Sequence, residues 1–135
     1  MRYELTIFGQ PVGKGRPRFT RAGHTYTPEK TKNYEQLVRA TFISSYPKAI
    51  PLEDAVKMKI TACFKVPDSY SAKKRNALIG KYYTNKSDVD NIAKIIMDGL
   101  NGFAYYDDKQ VAKLEVLKKY ANEGYVEVKM EEINE

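Results

Sequence analysis

The chain has 135 residues, a length that suits one domain with one hydrophobic core. It carries 23 lysines and arginines against 17 aspartates and glutamates, and this net charge of +6 favours an anionic partner such as nucleic acid. A single cysteine, Cys63, excludes an internal disulfide, and with a single histidine it makes no zinc cluster. Neither a signal-peptide pattern nor an apolar run of about 20 residues is present, so we expect a cytoplasmic protein without a membrane partner.

The first third of the chain predicts a strand, a loop and a long helix. Residues 2–7 alternate polar and apolar side chains, as a half-buried strand does. Residues 9–28 have glycines and prolines early and little apolar content, which predicts a long loop. A helix is predicted from Pro28 to about Tyr46, where prolines follow. Its positions near helical spacing are Leu37, Val38, Thr41, Phe42 and Ser45.

The middle of the chain predicts a second strand and two helices. Apolar residues alternate without a break over 56–66, which predicts a strand with one buried face. Ser71 is placed to cap a short helix over 72–79 that Gly80 ends. A longer helix is predicted over 88–101. Its apolar arc is Val89, Ile92, Ala93, Ile96, Met97 and Leu100, and its polar arc is Asp90, Asn91, Lys94, Asp98 and Asn101.

The end of the chain predicts two strands, over 114–120 and 125–133. The residues Asn122-Glu123-Gly124 between them are a hairpin signal. This order of elements predicts an α+β fold, with helices packed on one face of a four-stranded, largely antiparallel sheet. We expect a single domain over residues 1–135.

Acidic residues around the longer central helix are the strongest functional signal. Asp88 and Asp90 stand two apart at the helix start, and Lys94 follows one turn later. Asp107-Asp108 comes after a connection short enough to fold Asp108 back beside the N-terminus of that helix. Convergent carboxylate oxygens are the ligands that Mg²⁺ and Mn²⁺ prefer. In a cationic chain, one acidic focus predicts a divalent-metal site that works on a polyanion.

Each of these residues also has an ordinary structural role open to it. Asp88 suits a helix N-cap, and Asp90 suits the first turn, where the helix dipole favours an acid. Lys94 and Asp98 suit a surface ion pair. Asp107-Asp108 suits a turn. The residue pattern leaves these roles open beside the metal site.

A basic loop is the second functional signal. Four cations fall within residues 14–21, interleaved with Phe19 and glycines and followed by Tyr26. Such a segment binds phosphates and offers rings for base stacking. We predict that it binds DNA through Lys14, Arg16, Arg18 and Arg21. A solvated loop without a partner is the alternative.

The block from Asp88 to Val111 resembles the RusA family of Holliday-junction resolvases. The family pattern D-x-D-N-x-x-K matches the residues from Asp88 to Lys94, and D-D-x-x-V matches those from Asp107 to Val111. The aromatic stretch Phe103-Ala104-Tyr105-Tyr106 stands between the two patterns. The Gly-Lys-x-Arg-Pro-Arg loop and the Tyr-Thr-Pro before the first long helix are also similar, so the likeness covers most of the chain.

The resemblance implies a homodimeric endonuclease that resolves four-way DNA junctions with Mg²⁺, for which Mn²⁺ can substitute, in DNA recombination and repair. It implies no organic cofactor, and it places the protein on nucleoid DNA. The implied catalytic residues are the metal ligands Asp88, Asp90 and Asp108 and the essential lysine Lys94. Supporting positions are Asp107, Asn91 and Asp98. Some members carry an arginine run before the first Asp; here Lys86-Ser87 stands there, so Lys86 joins the basic loop as a predicted DNA contact.

Two other functions fit parts of the sequence. A non-catalytic basic DNA-binding module would use the Asp cluster only structurally. A metal-dependent phosphohydrolase would act on small substrates. Against the binding module, an acidic cluster does not help a protein that binds DNA by charge. Against the phosphohydrolase, an open basic loop suits a long polyanion better than a nucleotide.

Overall fold

Six strands and three helices follow one another along residues 1–133, the part of the chain that the computed structural model describes. In chain order they are β1 (Arg2–Phe8), β2 (Arg18–Phe19), β3 (Thr25–Tyr26), α1 (Glu29–Ser45), β4 (Ala55–Lys65), α2 (Ala72–Leu78), α3 (Val89–Leu100), β5 (Val111–Ala121) and β6 (Tyr125–Ile133), with a 3₁₀ turn at Asp108–Gln110. Every predicted helix and strand is present. The last two residues of the predicted domain lie outside the described residues.

The long strands form one sheet in the order β1-β6-β4-β5. The β1–β6 and β4–β6 pairs are antiparallel, and the β4–β5 pair is parallel. The predicted single-domain α+β fold with a four-stranded, largely antiparallel sheet is therefore confirmed. No helix within residues 1–133 combines the length and the apolar character that crossing a membrane requires.

The predicted hairpin between the last two strands is wrong, because β4 lies between β5 and β6 and pairs with both. The buried face of β4 is apolar along its whole length. A central position of β4 in the sheet therefore buries the most apolar surface. The turn after β5 instead lies beside the end of β1, where the Gly9 N–H donates to the Gly124 carbonyl over 3.0 Å. A side chain at Gly124 would collide with Gln10.

One face of the sheet packs against α1 and α3, as predicted. The sheet buries Tyr3, Leu5 and Ile7 from β1, Val56, Met58, Ile60, Ala62 and Phe64 from β4, and Val126, Val128 and Met130 from β6. The helices bury Thr31, Tyr34, Val38 and Phe42 from α1, and Ile92, Ala93, Ile95, Ile96, Gly99 and Leu100 from α3. The shorter helix α2 contributes no buried residue.

The buried faces of the two packed helices differ from the predicted ones at single positions. Val89, expected on the apolar arc of α3, is 48% exposed, and Leu37 of α1 is 43% exposed. Ile95 is buried instead. For α1 the crossing of the helices at Gly99 accounts for the difference, because a Cβ there would lie only 3.0 Å from the Val38 side chain. This close approach turns the Val38 side of α1 inward and leaves Leu37 outside.

Candidate functional site

The start of α3 presents two exposed carboxylates. Ser87 has a left-handed backbone with a φ of 82°, uncommon for a residue other than glycine, and it turns the chain into the helix. Asp88 is the N-cap residue, and its carbonyl accepts from the Ile92 N–H. Within residues 1–133 its side chain makes no capping hydrogen bond. Neither Asp88 nor Asp90 joins an ion pair among those residues.

Near the other end of α3, Asp98 forms ion pairs with two lysines. Lys94 Nζ lies 3.3 Å from Asp98 Oδ1, and Lys14 Nζ lies 3.0 Å from Asp98 Oδ2. Lys14 also lies 2.6 Å from Glu35 Oε2 of α1. Burial alone would lower the pKa of Lys14, but hydrogen bonds and attraction from Glu35 and Asp98 outweigh it, so its pKa is raised.

The two acids at the 3₁₀ turn, Asp107 and Asp108, make different contacts. Asp107 caps the turn, because its Oδ1 accepts from the Lys109 N–H over 2.9 Å. The Gln110 side chain completes a capping box and donates to the carbonyls of Leu52 and Asp54. The hydrogen bond from the Lys109 N–H lowers the pKa of Asp107. Asp107 is therefore occupied in positioning the turn.

Asp108 lies beside the Lys94 and Asp98 side of α3. Its N–H donates to Asn101 Oδ1 over 3.0 Å, which fixes it near the helix end. Burial raises the pKa of Asp108, and Asp107 and Asp98 raise it further, while the Lys94 ammonium opposes them. A cation near Asp108 would therefore oppose these effects, as Lys94 does, and stabilise the anionic carboxylate.

The predicted carboxylates do not form one compact group. Within residues 1–133, no group of three or more His, Cys, Asp or Glu side chains is close enough to hold a metal ion. Asp108 was expected beside the N-terminus of α3, whereas the Asn101 side chain holds it at the opposite end. The assignment of Asp88, Asp90 and Asp108 as metal ligands stays a prediction.

The basic loop is attached to both helices. The Lys14 N–H donates to the Asn91 carbonyl over 2.9 Å, and the Gly15 N–H donates to Thr31 Oγ1 over 3.0 Å. Glycine is needed at these contacts, since a Cβ on Gly15 would lie 2.8 Å from Thr31 Oγ1. The first part of the predicted loop is therefore packed against α1 and α3 rather than solvated.

An open groove of about 480 Å³ joins the basic loop to the start of α3. Its cationic lining residues are Lys14, Arg16, Arg18 and Lys30, and its wall includes Ser87 and Asn91. Ser87 immediately precedes Asp88 and Asn91 immediately follows Asp90, so the groove lies next to the helix start that carries the exposed acids. Lys86 is exposed, and it precedes Ser87, one of the residues that line the groove.

A small hairpin, which the sequence did not predict, extends the basic loop. The two strands β2 and β3 place Arg18 opposite Tyr26 and Phe19 opposite Thr25. Phe19 is 73% exposed, so its ring is available for stacking. Gly23, with a φ of 83°, forms the turn, and the Ala22-Gly23 pair was the signal for it.

Sequence reasoning missed four residues that organise the site. They are Glu35, Ser87, Asn101 and Gln110. Asn101 had a signal, because it falls on the polar arc of α3 near Asp98. Glu35 had none, because its role depends on how α1 crosses α3.

The residues of the site fall within the match to a known protein family. The family model described as "Endodeoxyribonuclease RusA" matches residues 9–131, which include the basic loop, α3 and the Asp107-Asp108 pair. The chain belongs to the RusA family. It is also 37% identical over 138 residues to the "Uncharacterized protein YqaN" of Bacillus subtilis (strain 168), with 97% of this chain and 96% of that protein covered.

The predicted RusA resemblance is thus confirmed. Membership of the RusA family implies an endodeoxyribonuclease, a hydrolase, that binds and cuts Holliday junctions. RusA-family nucleases are generally dependent on a divalent metal. These statements hold for the family as a whole.

Proposed function

We propose that residues 1–135 form one endonuclease domain that resolves four-way DNA junctions by paired symmetric nicks. One observation carries the proposal: Asp88 and Asp90 are exposed and unpaired within residues 1–133, and their neighbours Ser87 and Asn91 line a groove that also carries cations. Asp98 and Asp107, by contrast, are occupied by Lys14, Lys94 and the Lys109 N–H. Unpaired acids beside a basic groove suit catalysis better than a module that only binds DNA.

Mg²⁺, or Mn²⁺ in its place, is the proposed cofactor, with no organic cofactor. The donors would be the carboxylates of Asp88, Asp90 and Asp108, oxygen ligands of the kind that Mg²⁺ prefers. When bound, the ion would supply charge neutralisation at the phosphodiester and activation of a water. Because the described residues hold no ready group of three carboxylates, Asp108 has to approach the start of α3 when cation and DNA bind.

Lys94 is the proposed catalytic cation. Its side chain is 58% exposed, and within residues 1–133 its one ion pair is with Asp98. An ammonium held in one place beside a phosphodiester stabilises the negative charge that develops during hydrolysis. Asn91 and Asp107 have supporting roles: the Asn91 carbonyl holds the basic loop, and Asp107 caps the turn that carries Asp108.

DNA affinity is assigned to the exposed cations of the groove and the hairpin. These residues are Arg16, Arg18, Arg21 and Lys86, with Phe19 and Tyr26 as stacking rings. One site nicks one strand, so a homodimer with two-fold symmetry would supply the second nick on a two-fold substrate. Such an enzyme would act on nucleoid DNA in the cytoplasm, in recombination and repair.

The test uses a labelled synthetic four-way junction, a linear duplex of one arm and a nucleotide. Each is incubated with Mg²⁺, with Mn²⁺ or with EDTA. We expect paired nicks in the junction with either metal, little cutting of the duplex and no nucleotide hydrolysis. Equal cutting of junction and duplex, or activity that survives EDTA, would refute the proposal. Tight junction binding without cleavage in either metal would identify a DNA-binding module instead.

A further inference from the structure

Lys14 differs from the other cations of the basic loop, because its ammonium faces the protein. Its side chain is 22% exposed and lies between two carboxylates that are equally enclosed, Glu35 at 18% and Asp98 at 22%. The distances are 2.6 Å from Nζ to Glu35 Oε2 and 3.0 Å to Asp98 Oδ2. Arg16, Arg18 and Arg21 form no ion pair among residues 1–133.

The main chain of Lys14 is attached to the same helix as its side chain. The Lys14 N–H donates to the Asn91 carbonyl, one residue after Asp90. The side chain reaches Asp98 nearly at the end of α3. Lys14 therefore spans α3 along the face that carries Asp90, Lys94 and Asp98, which are successive i, i+4 neighbours.

Asp98 connects Lys14 to Lys94. Its two carboxylate oxygens are divided between the lysines, with Oδ2 toward Lys14 and Oδ1 toward Lys94. A carboxylate free to rotate would not hold the exposed Lys94 ammonium in one position. Because Lys14 fixes one oxygen, the other points at Lys94.

We infer that Lys14 is a positioning residue of the nuclease: it fixes Asp98, which places the Lys94 ammonium, and it ties the basic loop to α3. The inference rests on the proposed function, in which Lys94 acts on the phosphodiester. It replaces the sequence-based prediction that Lys14 contacts DNA. Moving its ammonium to a phosphate would leave the enclosed Glu35 carboxylate without a cation and Asp98 with Lys94 alone, which is unfavourable.

The main test separates turnover from binding. In Lys14→Met, a misplacement of Lys94 by about 1 Å should lower kcat by about 10- to 100-fold. Junction affinity in Ca²⁺ should stay within about twofold, with an unchanged slope of log K against log salt, since removing a cation that binds a phosphate would reduce that slope by about one unit. The matched control is Lys57→Met, which removes the same charge from an exposed pair with Glu131 on the outer face of the sheet. A reduced slope with wild-type kcat would overturn the inference.

A double-mutant cycle tests the route through Asp98. If Lys14 acts by fixing Asp98, Lys14→Met should have little further effect on kcat in an Asp98→Asn background. Additive effects would overturn the inference. Lys14→Arg keeps the charge in a different shape, so its kcat should lie between those of wild type and Lys14→Met. If Lys14→Met does not fold, Lys14→Gln, which removes the charge but keeps a polar side chain, takes its place, and wild-type kcat with a reduced salt slope refutes the positioning role.

A measurement without DNA separates this inference from the proposed function. Trypsin can cut the loop after Arg18 and after Arg21, both exposed. If Lys14 ties the loop to α3, these cuts should be several-fold faster in Lys14→Met than in wild type or Lys57→Met. Unchanged cutting overturns the tether even if the wild type resolves junctions. Faster cutting in a protein that cleaves no junction supports the tether while the nuclease proposal fails.

Discussion

The two ends of α3 carry the same residue type in opposite situations. At the start, Asp88 and Asp90 are exposed and join no ion pair within residues 1–133. At the end, Asp98 is enclosed and held by Lys14 and Lys94. The helix dipole favours acids at the start and disfavours them at the end, so Asp98 requires its lysines while the first two acids require no partner. Acids that need no partner are available to bind a cation.

The cations of the basic loop show the same division. Lys14 is enclosed between carboxylates, whereas Arg16, Arg18 and Arg21 are exposed. An exposed guanidinium loses little hydration when it meets a phosphate, and it offers a bidentate contact. The comparison teaches that the partners of a charged residue, rather than its type or its place in a motif, decide which charges are free to meet a ligand.

The largest effect is expected from Asp90→Asn, which tests the unpaired end of α3. The change keeps the shape of the side chain and removes a metal-binding charge. Cleavage of a junction in Mg²⁺ should fall by about 100-fold or more. Junction binding without metal should persist or tighten, because one negative charge facing the phosphates is gone. Gel-based cleavage rates and fluorescence anisotropy on one preparation measure both.

Asp68→Asn is the matched control, because Asp68 is exposed and lies outside the groove, paired with Lys65. It should cleave as the wild type does. If Asp90 serves only the helix dipole, Asp90→Asn would lose roughly 0.3–1 kcal/mol of stability and keep normal cleavage. That pattern would contradict the division between the two ends of α3.

The second effect concerns the exposed cations of the loop. Replacement of Arg16, Arg18 and Arg21 by alanine should reduce the slope of log K against log salt by about 0.9 for each phosphate that the loop no longer binds. The control replaces Lys57, Lys59 and Lys129 by alanine, which removes the same charge from the outer face of the sheet. Titrations of a labelled junction at several salt concentrations compare the two proteins. Equal slopes would show that net charge, and not this loop, holds DNA.

The third effect concerns the helix crossing that brings the enclosed charges together. A Cβ in Gly99→Ala would lie 3.0 Å from Val38 and 3.1 Å from the Glu35 carbonyl oxygen. Because both neighbours belong to the packed side of α1, the helices must separate, at a loss of about 1–3 kcal/mol of stability. Urea denaturation measures it. A gain in stability, as Gly-to-Ala changes give in an uncrowded helix, would show that the crossing is loose.

The smallest effect compares two buried tyrosines. The Tyr105 hydroxyl donates to the Met97 carbonyl over 2.7 Å, whereas the Tyr34 hydroxyl has no partner within residues 1–133. Tyr105→Phe should therefore lose about 1 kcal/mol, and Tyr34→Phe should be neutral or stabilising. Thermal unfolding of both variants checks the order. A larger loss for Tyr34→Phe would contradict the difference between the two hydroxyls.

Burial also raises the pKa of both hydroxyls, so the folded protein favours their neutral forms. Stability is therefore fully present below the ordinary tyrosine pKa of about 10 and is lost as the pH rises above it. Tyr34→Phe should lessen this alkaline loss in urea denaturation between about pH 8 and 11.

The sequence alone determined the three helices, the four strands of the main sheet and the family, because their signals lie in neighbouring residues. The alternation over 56–66 became β4, and Ser71 caps α2 through the Lys74 N–H as its position predicted. The block from Asp88 to Val111, with the Gly-Lys-x-Arg-Pro-Arg loop, indicated the RusA family, which the family model confirms. Periodicity and capping act over a few residues, so they can be recognised before any tertiary contact is known.

Only the tertiary structure decided which elements and charges meet. The insertion of β4 between β5 and β6 overrode a local turn signal, because pairing depends on the apolar surface that whole strands bury together. Lys14 changed from a loop cation to an enclosed one because Glu35 and Asp98 come from different helices that approach at Gly99. Asp108 came to rest beside Asn101 rather than beside Asp88 because a hydrogen bond to Asn101 holds it there. The β4 pairings and the Lys14 ion pairs join residues far apart in the chain, and no local pattern encodes them.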